Sequence, residues 1–497
     1  MMFRIRLVRP ILSVICILAL FLIFLHLFYS YSADSMPIYQ TLPKLSLFNS
    51  PSYGQTAKKE DDKKLHYKDY RLLESLTNEM GFYNGIDSQK AGYKIMNPTL
   101  LELPRWDNIS HDFLVIARAP HISRIIKGKR YKVSRQIAMF ANLTHSKLQR
   151  PVLQSGTWSK LLIEDFSGPE HHCQKQPHID RYIGPEDMKL FWTRTGEPLL
   201  IFTHQVKDDV MCQGQFIIDA RAAVPELELA LGEAVASSLP PIRFRDPIGL
   251  YRQPYVGEDS APRYQREKNW APAQSPFSSD DGLLFMVEPG QLHRWNTTAG
   301  LVEPMIDTKG WHSSIKEPFP PSAQTDGTWH SEIGRTCMHD VMLHDTQVHQ
   351  STPMLSLTLC NRGTCEPSQR NTVMLGMVQR RYDRPAAPFT WYERRIAVYE
   401  VSPPYRMISV SKKLTYHGEA DGEYIWTGSM TYRSSWAKFP PSNHGFLDDE
   451  IWLSFGIRDV AAGWLDIHAV DLVTDHYPCQ SSSPDLMSGI TGDRILP

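Results

Sequence analysis

The chain has 497 residues, 42% hydrophobic and 22% charged, with 12 Trp, 21 Tyr and 20 Phe, an aromatic content that excludes wholesale disorder. Lysine and arginine total 53 against 54 acidic residues, a formal net charge of −1. The chain as a whole thus lacks the charge surplus that polyanions select, which argues against nucleic-acid binding as its main role.

The chain opens with Arg4, Arg6 and Arg9 and then an apolar run at 11–29, interrupted by Ser13 and His26. Such a run spans about 28 Å as a helix, close to the ~30 Å hydrocarbon core. It is longer than a signal-peptide core, and Ser32-Ala33-Asp34 is a weak cleavage site. A single transmembrane signal anchor is therefore expected at 11–29. The arginines keep residues 1–10 cytoplasmic and place the remaining chain in the secretory lumen, as a type II membrane protein of the Golgi or secretory pathway. Sequons at Asn108, Asn142 and Asn296 are candidate glycosylation sites on that side. Outside the span, Cys173, Cys212, Cys337, Cys360, Cys365 and Cys479 form an even set suited to an oxidising compartment. Cys360 and Cys365 flank Gly363 and are the first candidate disulfide; Cys173–Cys212 is the second.

Residues 30–85 begin polar and carry the run Lys58-Lys59-Glu60-Asp61-Asp62-Lys63-Lys64, which reads as a solvated stem. From about Gly85 the texture changes and persists to about Asp475. Strands are predicted at 113–117, 199–203, 215–218, 283–287, 355–359, 373–378, 396–401, 424–427, 451–456 and 465–472, each a short apolar run bounded by turn residues. The best helix lies at 225–236, where Pro225 suits a first helical position and Leu227, Leu231 and Val235 recur every four residues. This pattern predicts one all-β body over 86–480, with a short tail at 481–497. Radial repetition of four-stranded units accommodates that length better than a sandwich does.

Three constellations carry chemistry. In the first, Gly184-Pro185 forces a turn that places Glu186-Asp187 at the mouth of a strand, flanked by Arg181 and Lys189. Such a pair can orient sugar hydroxyls, or move a proton with one acid while the other stays ionised. The second is Glu267-Lys268-Asn269-Trp270, offering donors beside a stacking face. The third is His444-Gly445-Phe446-Leu447-Asp448-Asp449 with Ser454-Phe455-Gly456-Ile457-Arg458-Asp459. Each alone also fits an ordinary surface loop. Asp208-Asp209 and Asp280-Asp281 read as turns rather than metal ligands, and no metal site is assigned. His349 takes no assignment.

In their order and spacing, these motifs resemble the fungal β-1,2-mannosyltransferases, and more distantly the β-mannoside phosphorylases, over roughly residues 105–475. The resemblance implies a five-bladed β-propeller with an axial active site, behind the N-terminal transmembrane helix. It implies Asp187 as catalytic acid/base and Glu186 as its sugar-binding neighbour. Arg118, Lys189, Lys268, Asn269 and Asp459 would bind substrate. Met188-Lys189 stands where the phosphorylases carry Pro-Arg, so an Arg fork becomes a Lys point charge, which argues against phosphorylase-type phosphate handling. The implied activity is inverting transfer of mannose from GDP-mannose to a mannan or oligomannoside acceptor, in cell-wall or glycan biosynthesis, without a cofactor. A phosphorylase or hydrolase of the same fold, and a non-catalytic glycan-binding propeller, are the alternatives.

Overall fold

The computed structural model describes residues 70–105, 109–164, 179–206, 213–252, 267–278, 282–288, 291–297, 301–304, 348–383, 390–433, 443–479, 486 and 490. All lie in the second of two compact units, Thr56–Pro497. The expected anchor at 11–29, Asn108, Cys173 and Cys212 fall outside the described residues. Among the described residues, no helix is long and apolar enough to cross a membrane.

Strand dominates and helices are few. Successive strands fold into antiparallel meanders, of which the described residues contain five. The first comprises Met96–Glu102, Phe113–Ile126, Lys129–His145 and Pro151–Lys160. The second comprises Glu186–Trp192, Pro198–Gln205, Gln213–Asp219 and Ile248–Arg252. The third is Ala271–Ala273, Leu284–Glu288, Gln291–Asn296 and Leu301–Pro304. The fourth is Leu355–Thr358, Thr372–Asp383, Thr390–Glu400 and Met407–Ser411. The fifth joins Ile425–Arg433, Glu450–Ile457 and Ala461–His468 to the N-terminal strand Asn84–Asp87, through the pairs Asn84↔Trp464 and Gly85↔Gly463.

Hydrogen bonds made in and beside the first two strands of these meanders form a closed circuit. Leu190 N donates to Thr99 Oγ1 at 2.9 Å, linking second to first, and Arg194 N donates to Gln274 Oε1 at 2.6 Å, linking second to third. Ser356 Oγ donates to Gln274 O at 3.2 Å, linking fourth to third. Gln379 Nε2 donates to Thr427 O at 2.8 Å, and Leu100 N donates to Ser429 Oγ at 3.1 Å, linking fourth to fifth and fifth to first.

Each adjacent pair of meanders also shares one apolar layer. Leu114, Ile116, Leu190 and Phe202 fill the first, Ile201, Ile217, Phe285 and Trp295 the second, and Met286, Leu292, Met374 and Tyr399 the third. Leu375, Val398, Leu453 and Leu465 fill the fourth, and Phe113, Val115, Trp452 and Trp464 close the fifth against the first. Both faces of every meander are therefore covered, which is why the runs are apolar almost without alternation. Pro198–Gln205 is buried along its entire length.

The predicted strands all fall on observed ones, except that the run expected at 465–472 ends at His468 and finishes in a 3-10 turn, Ala469–Leu472. The expected helix occupies Glu226–Ala236, with Pro225 one position earlier than anticipated, at the N-cap. Leu227, Leu231 and Val235 pack into the first apolar layer.

Both ends of the folded body reach further than composition suggested. Tyr70–Leu73, inside the expected stem, pairs in parallel with Lys413–Tyr416. Leu486 and Ile490, inside the expected tail, are buried in the fourth apolar layer. Polar spacing hides both because a four-residue strand or a single buried side chain needs little apolar sequence.

Cys360 and Cys365 are bonded, with S–S 2.07 Å and Cα–Cα 6.3 Å; Cys479 is also disulfide-bonded. Asn142 lies within a strand, where its side chain accepts from Asp112 N and donates to Ser110 O, both at 3.0 Å. It serves as a backbone clamp rather than a freely presented acceptor amide. Asn296 Nδ2 donates to Glu303 Oε1 at 3.2 Å.

Candidate active site

The turn ahead of Glu186 is fixed by sterics. Gly184 has φ 93°, and a Cβ there would lie 2.4 Å from Ser134 O, so no side chain fits. Pro185 O accepts from Gln136 Nε2 at 3.1 Å, pinning the turn to the first meander. The strand then begins with a bulge: register shifts between Glu186 and Lys189, and Asp187, at the shift, has φ 51°.

The same device recurs in neighbouring meanders. Asn97, with φ 48°, sits in the shift between Met96 and Thr99, and Asn269, with φ 64°, lies two residues before the third meander's first strand. Asn and Asp are the side chains that best tolerate the left-handed region. Each such residue still costs about 1–3 kcal/mol, and such strain gathers at functional sites. Arg458 and Asp459, with φ 53° and 51°, add a left-handed turn after Glu450–Ile457.

These residues converge on one charged cluster. Lys268 Nζ lies 2.7 Å from Asp187 Oδ2 and 3.8 Å from Glu186 Oε2. Lys268 is held in place by its neighbours: Glu267 N donates to Gln213 O at 2.9 Å, and the Glu267 carboxylate accepts from Trp270 Nε1 at 2.9 Å. Arg118 Nη2 sits 3.5 Å from Asp459 Oδ1. Asp459 also accepts from Tyr424 OH at 3.1 Å and from Asn97 Nδ2 at 3.5 Å. Tyr392 packs 5.4 Å from Tyr424 and 4.9 Å from Trp426, and His349 lies 6.4 Å from Trp426 on the same aromatic wall.

Electrostatics join the two halves. Burial alone would raise the Asp187 carboxyl, but the Lys268, Arg118 and Lys189 cations outweigh it and hold the group well below the usual carboxylate range. Burial depresses Lys189 to about 8, opposed by Asp187 and reinforced by Lys268. Burial raises Tyr392 to about 12, with Asp459 and Asp187 adding to the effect. Burial, Tyr392 and Asp459 push Tyr424 up as well. Both phenols therefore stay neutral donors at physiological pH.

Lys189 gives a pH prediction. Its folded value of about 8 lies below the ordinary 10.5, so its charge disfavours the fold, and stability from this group rises as pH climbs through that window. Substrate turnover that uses its charge should fall above about pH 8. Rate profiles of wild type and Lys189→Met check this: the variant should lose the alkaline limb, and an identical limb in both would exclude Lys189 as its source.

Glu186 and Asp187 thus meet Lys268 directly, while Lys189 and Arg118 act on Asp187 through their charge and Arg118 pairs with Asp459. Asn269 follows Lys268 with its side chain buried, and its Oδ1 has no hydrogen-bond partner among the described residues. Asn97, Tyr392, Tyr424 and Trp426 were not anticipated. Asn97-Pro98-Thr99 and Asp187-Met188-Lys189 do share an acid or amide two residues ahead of a strand position that bonds its neighbour, but a three-residue repeat is too short to notice without the fold.

The His444-Gly445 and Asp448-Asp449 motif does other work. Asp449 accepts from Phe446 N at 2.7 Å and from the Arg362 guanidinium, and Asp448 Oδ1 accepts from Arg362 N at 2.7 Å. His444 Nε2 and Thr358 Oγ1 are 2.7 Å apart, and a Cβ on Gly445 would lie 2.4 Å from the Tyr432 ring. This motif clamps the Cys360–Cys365 loop to the fifth meander.

No family model matches the chain, and no curated relative does. Among solved structures it is similar to a mannose phosphorylase from Leishmania mexicana in complex with phosphate ion, at 9% identity and TM-score 0.35, covering 83% of this chain and 93% of that one. It is similar to a GDP-Man-dependent mannosyltransferase from Leishmania mexicana, at 9% identity and TM-score 0.34, covering 85% and 97%. The parainfluenza virus 5 hemagglutinin-neuraminidase ectodomain follows at 8% identity and TM-score 0.23, covering 91% and 99%.

Proposed function

We propose that this chain is an inverting mannosyltransferase built on a five-bladed β-propeller, transferring mannose from GDP-α-mannose to a mannoside acceptor in β-1,2 linkage. The observation that carries the reading is the Asp187–Lys268 pair: a buried carboxylate in a strained bulge, 2.7 Å from an ammonium, with Arg118 and Lys189 close by. Five meanders, five shared apolar layers and a closed circuit of hydrogen bonds from each meander to the next support a radial arrangement of blades. Mannose as the sugar and the β-1,2 linkage rest on the sequence resemblance.

In this reading the acceptor hydroxyl gives its proton to Asp187 as its oxygen attacks the anomeric carbon, and the bond from that carbon to the GDP oxygen breaks on the opposite face. Negative charge grows on the departing diphosphate, and Lys189, Lys268 and Arg118 are the groups placed to receive it. A resting carboxylate held by Lys268 is a weak base. A diphosphate that draws Lys268 away frees it, so the base strengthens when the donor is present. Asp459, fixed by Tyr424 and Asn97, orients Arg118, and Glu186 and Asn269 are left to hold sugar hydroxyls. Membrane anchoring through 11–29, with this body in the Golgi lumen, completes the proposal.

The same three cations also suit inorganic phosphate, which keeps a β-mannoside phosphorylase as the second reading. Incubation of the full chain with GDP-mannose and mannobiose, and separately with β-mannobiose and phosphate, separates them. A lengthened β-linked product is expected from the first mixture. Mannose 1-phosphate from the second alone would favour phosphorolysis, and binding without product in either would overturn the enzymatic reading.

A further inference from the structure

The near-zero net charge conceals a one-signed segment. Between Asp112 and Glu164 the chain has no acidic residue but ten lysines and arginines. Six of them, Arg124, Lys127, Lys129, Arg130, Lys132 and Arg135, lie on the two-stranded ribbon made by the far ends of Phe113–Ile126 and Lys129–His145. The register runs unbroken from Ile122↔Val133 to Ile126↔Lys129. Lys127, Lys129 and Arg130 are exposed, as is Ile125 at 73%. None of Lys127, Lys129, Arg130 and Lys132 is ion-paired among the described residues.

Alternation sorts the ribbon into two faces. Ile122, Ile126, Tyr131 and Val133 pack with Ile183 on one face and hold the ribbon to the body. The opposite face carries Ile125, Arg130 and Lys132. Lys132 pairs in register with Tyr182, its Nζ 5.2 Å from the ring centroid and 3.4 Å from the hydroxyl. His121 meets the same ring edge-on at 6.3 Å.

This face runs into the candidate active site. Arg118, which pairs with Asp459, stands at the root of the ribbon opposite Gln136, and Tyr182 precedes the Gly184-Pro185 turn that sets Glu186 and Asp187. His121 feels both Arg118 and Glu186, burial and Arg118 lowering its affinity for a proton and Glu186 raising it. At a strand's rise of ~3.3 Å per residue, the cations at the tip lie roughly 20 Å from Arg118.

We propose that the ribbon is an outer acceptor subsite, selecting a glycan that carries anionic groups, phosphate or carboxylate, several sugars away from the reacting hydroxyl. Tyr182 and His121 offer sugar-stacking faces next to the reacting centre, and Arg130 and Lys132 meet the charges beyond. The proposal rests on the Asp187 cluster being a glycan site. A nucleic acid would need no such continuity with a cluster of carboxylates.

The test compares three acceptors of equal length: a phosphorylated oligomannoside, an oligouronate and a neutral oligomannoside. Each is measured by transfer from GDP-mannose and, independently, by calorimetric binding to the full chain. The phosphorylated and uronate arms tell the two anion chemistries apart. At least one anionic acceptor should bind about tenfold more tightly than the neutral one, consistent with one or two charge-assisted contacts, and raised salt should erode the difference. Arg130→Glu with Lys132→Glu should bring the anionic-to-neutral ratio to about one, and Arg130→Gln with Lys132→Gln provides a gentler variant should the first misfold. Equal binding of all three acceptors, or equal losses on all three in the variants, would overturn the proposal. So would tight binding to phosphatidylserine vesicles with no preference among the glycans. Anion-selective binding without transfer would leave the subsite standing and refute the transferase reading alone.

Discussion

Asp187→Asn is expected to lower single-turnover mannosyl transfer by about 10²–10⁴-fold, or roughly 3–5 kcal/mol of barrier, the usual worth of a positioned general base. The substitution isolates that role well. Asparagine tolerates the left-handed backbone that position 187 adopts at φ 51°, so the bulge and its hydrogen bonds should persist, whereas alanine would add strain. Lys268 loses its nearer partner, but it keeps Glu186 at 3.8 Å and its side chain is 30% exposed to water, so the melting temperature should change little. Glu186→Gln should chiefly raise the acceptor KM. Asp449→Asn supplies the opposite control: it breaks the Arg362 clamp and should lower stability while leaving the chemical step intact. Near-normal transfer by folded Asp187→Asn would move the base to Asp459 or His349.

Trp452→Ala is expected to destabilise the fold by about 3–5 kcal/mol, the range for deleting a fully buried large aromatic. Trp452 is 0% exposed and stacks on Trp464, with ring centroids 4.0 Å apart and planes within 1°. It meets Phe113 of the first meander at 4.6 Å, and the Arg433 guanidinium lies 4.9 Å from its centroid. It therefore fills the layer where the last meander closes on the first, and its loss opens a cavity at the seam. Against a typical total of about 5–15 kcal/mol, that is a large share of the stability. Urea unfolding of Trp452→Ala and Trp452→Phe checks the claim: the first should show a much lower midpoint and the second an intermediate one, and two wild-type midpoints would refute closure through this layer.

What the sequence disclosed follows from which features are local. Strands such as Pro198–Gln205 announce themselves because both faces are covered, so every residue is apolar or tolerates burial. The Glu186-Asp187 and Lys268-Asn269 motifs stand out because turn, charge and aromatic residues crowd into a few positions. Closure does not show: Asn84–Asp87 has one large apolar residue in four and completes a meander whose other strands lie more than 300 positions away. Tyr392 and Tyr424 reach the site from different meanders, and nothing in their local sequence marks them. Asp448-Asp449 looked chemical because carboxylates were counted without their partner, Arg362, about 86 residues earlier. The net charge of −1 averages away the acid-free stretch between Asp112 and Glu164.

The central claim is inversion at the mannosyl carbon by a base at Asp187. It is tested most directly by proton NMR of the product formed from GDP-α-mannose and mannobiose, with the configuration read at the anomeric centre of the new glycosidic bond. The account predicts a new β-mannosidic signal that grows with wild type and is absent over the same interval with Asp187→Asn. An α-linked product, or a β-linked product formed equally fast by the variant, would contradict it.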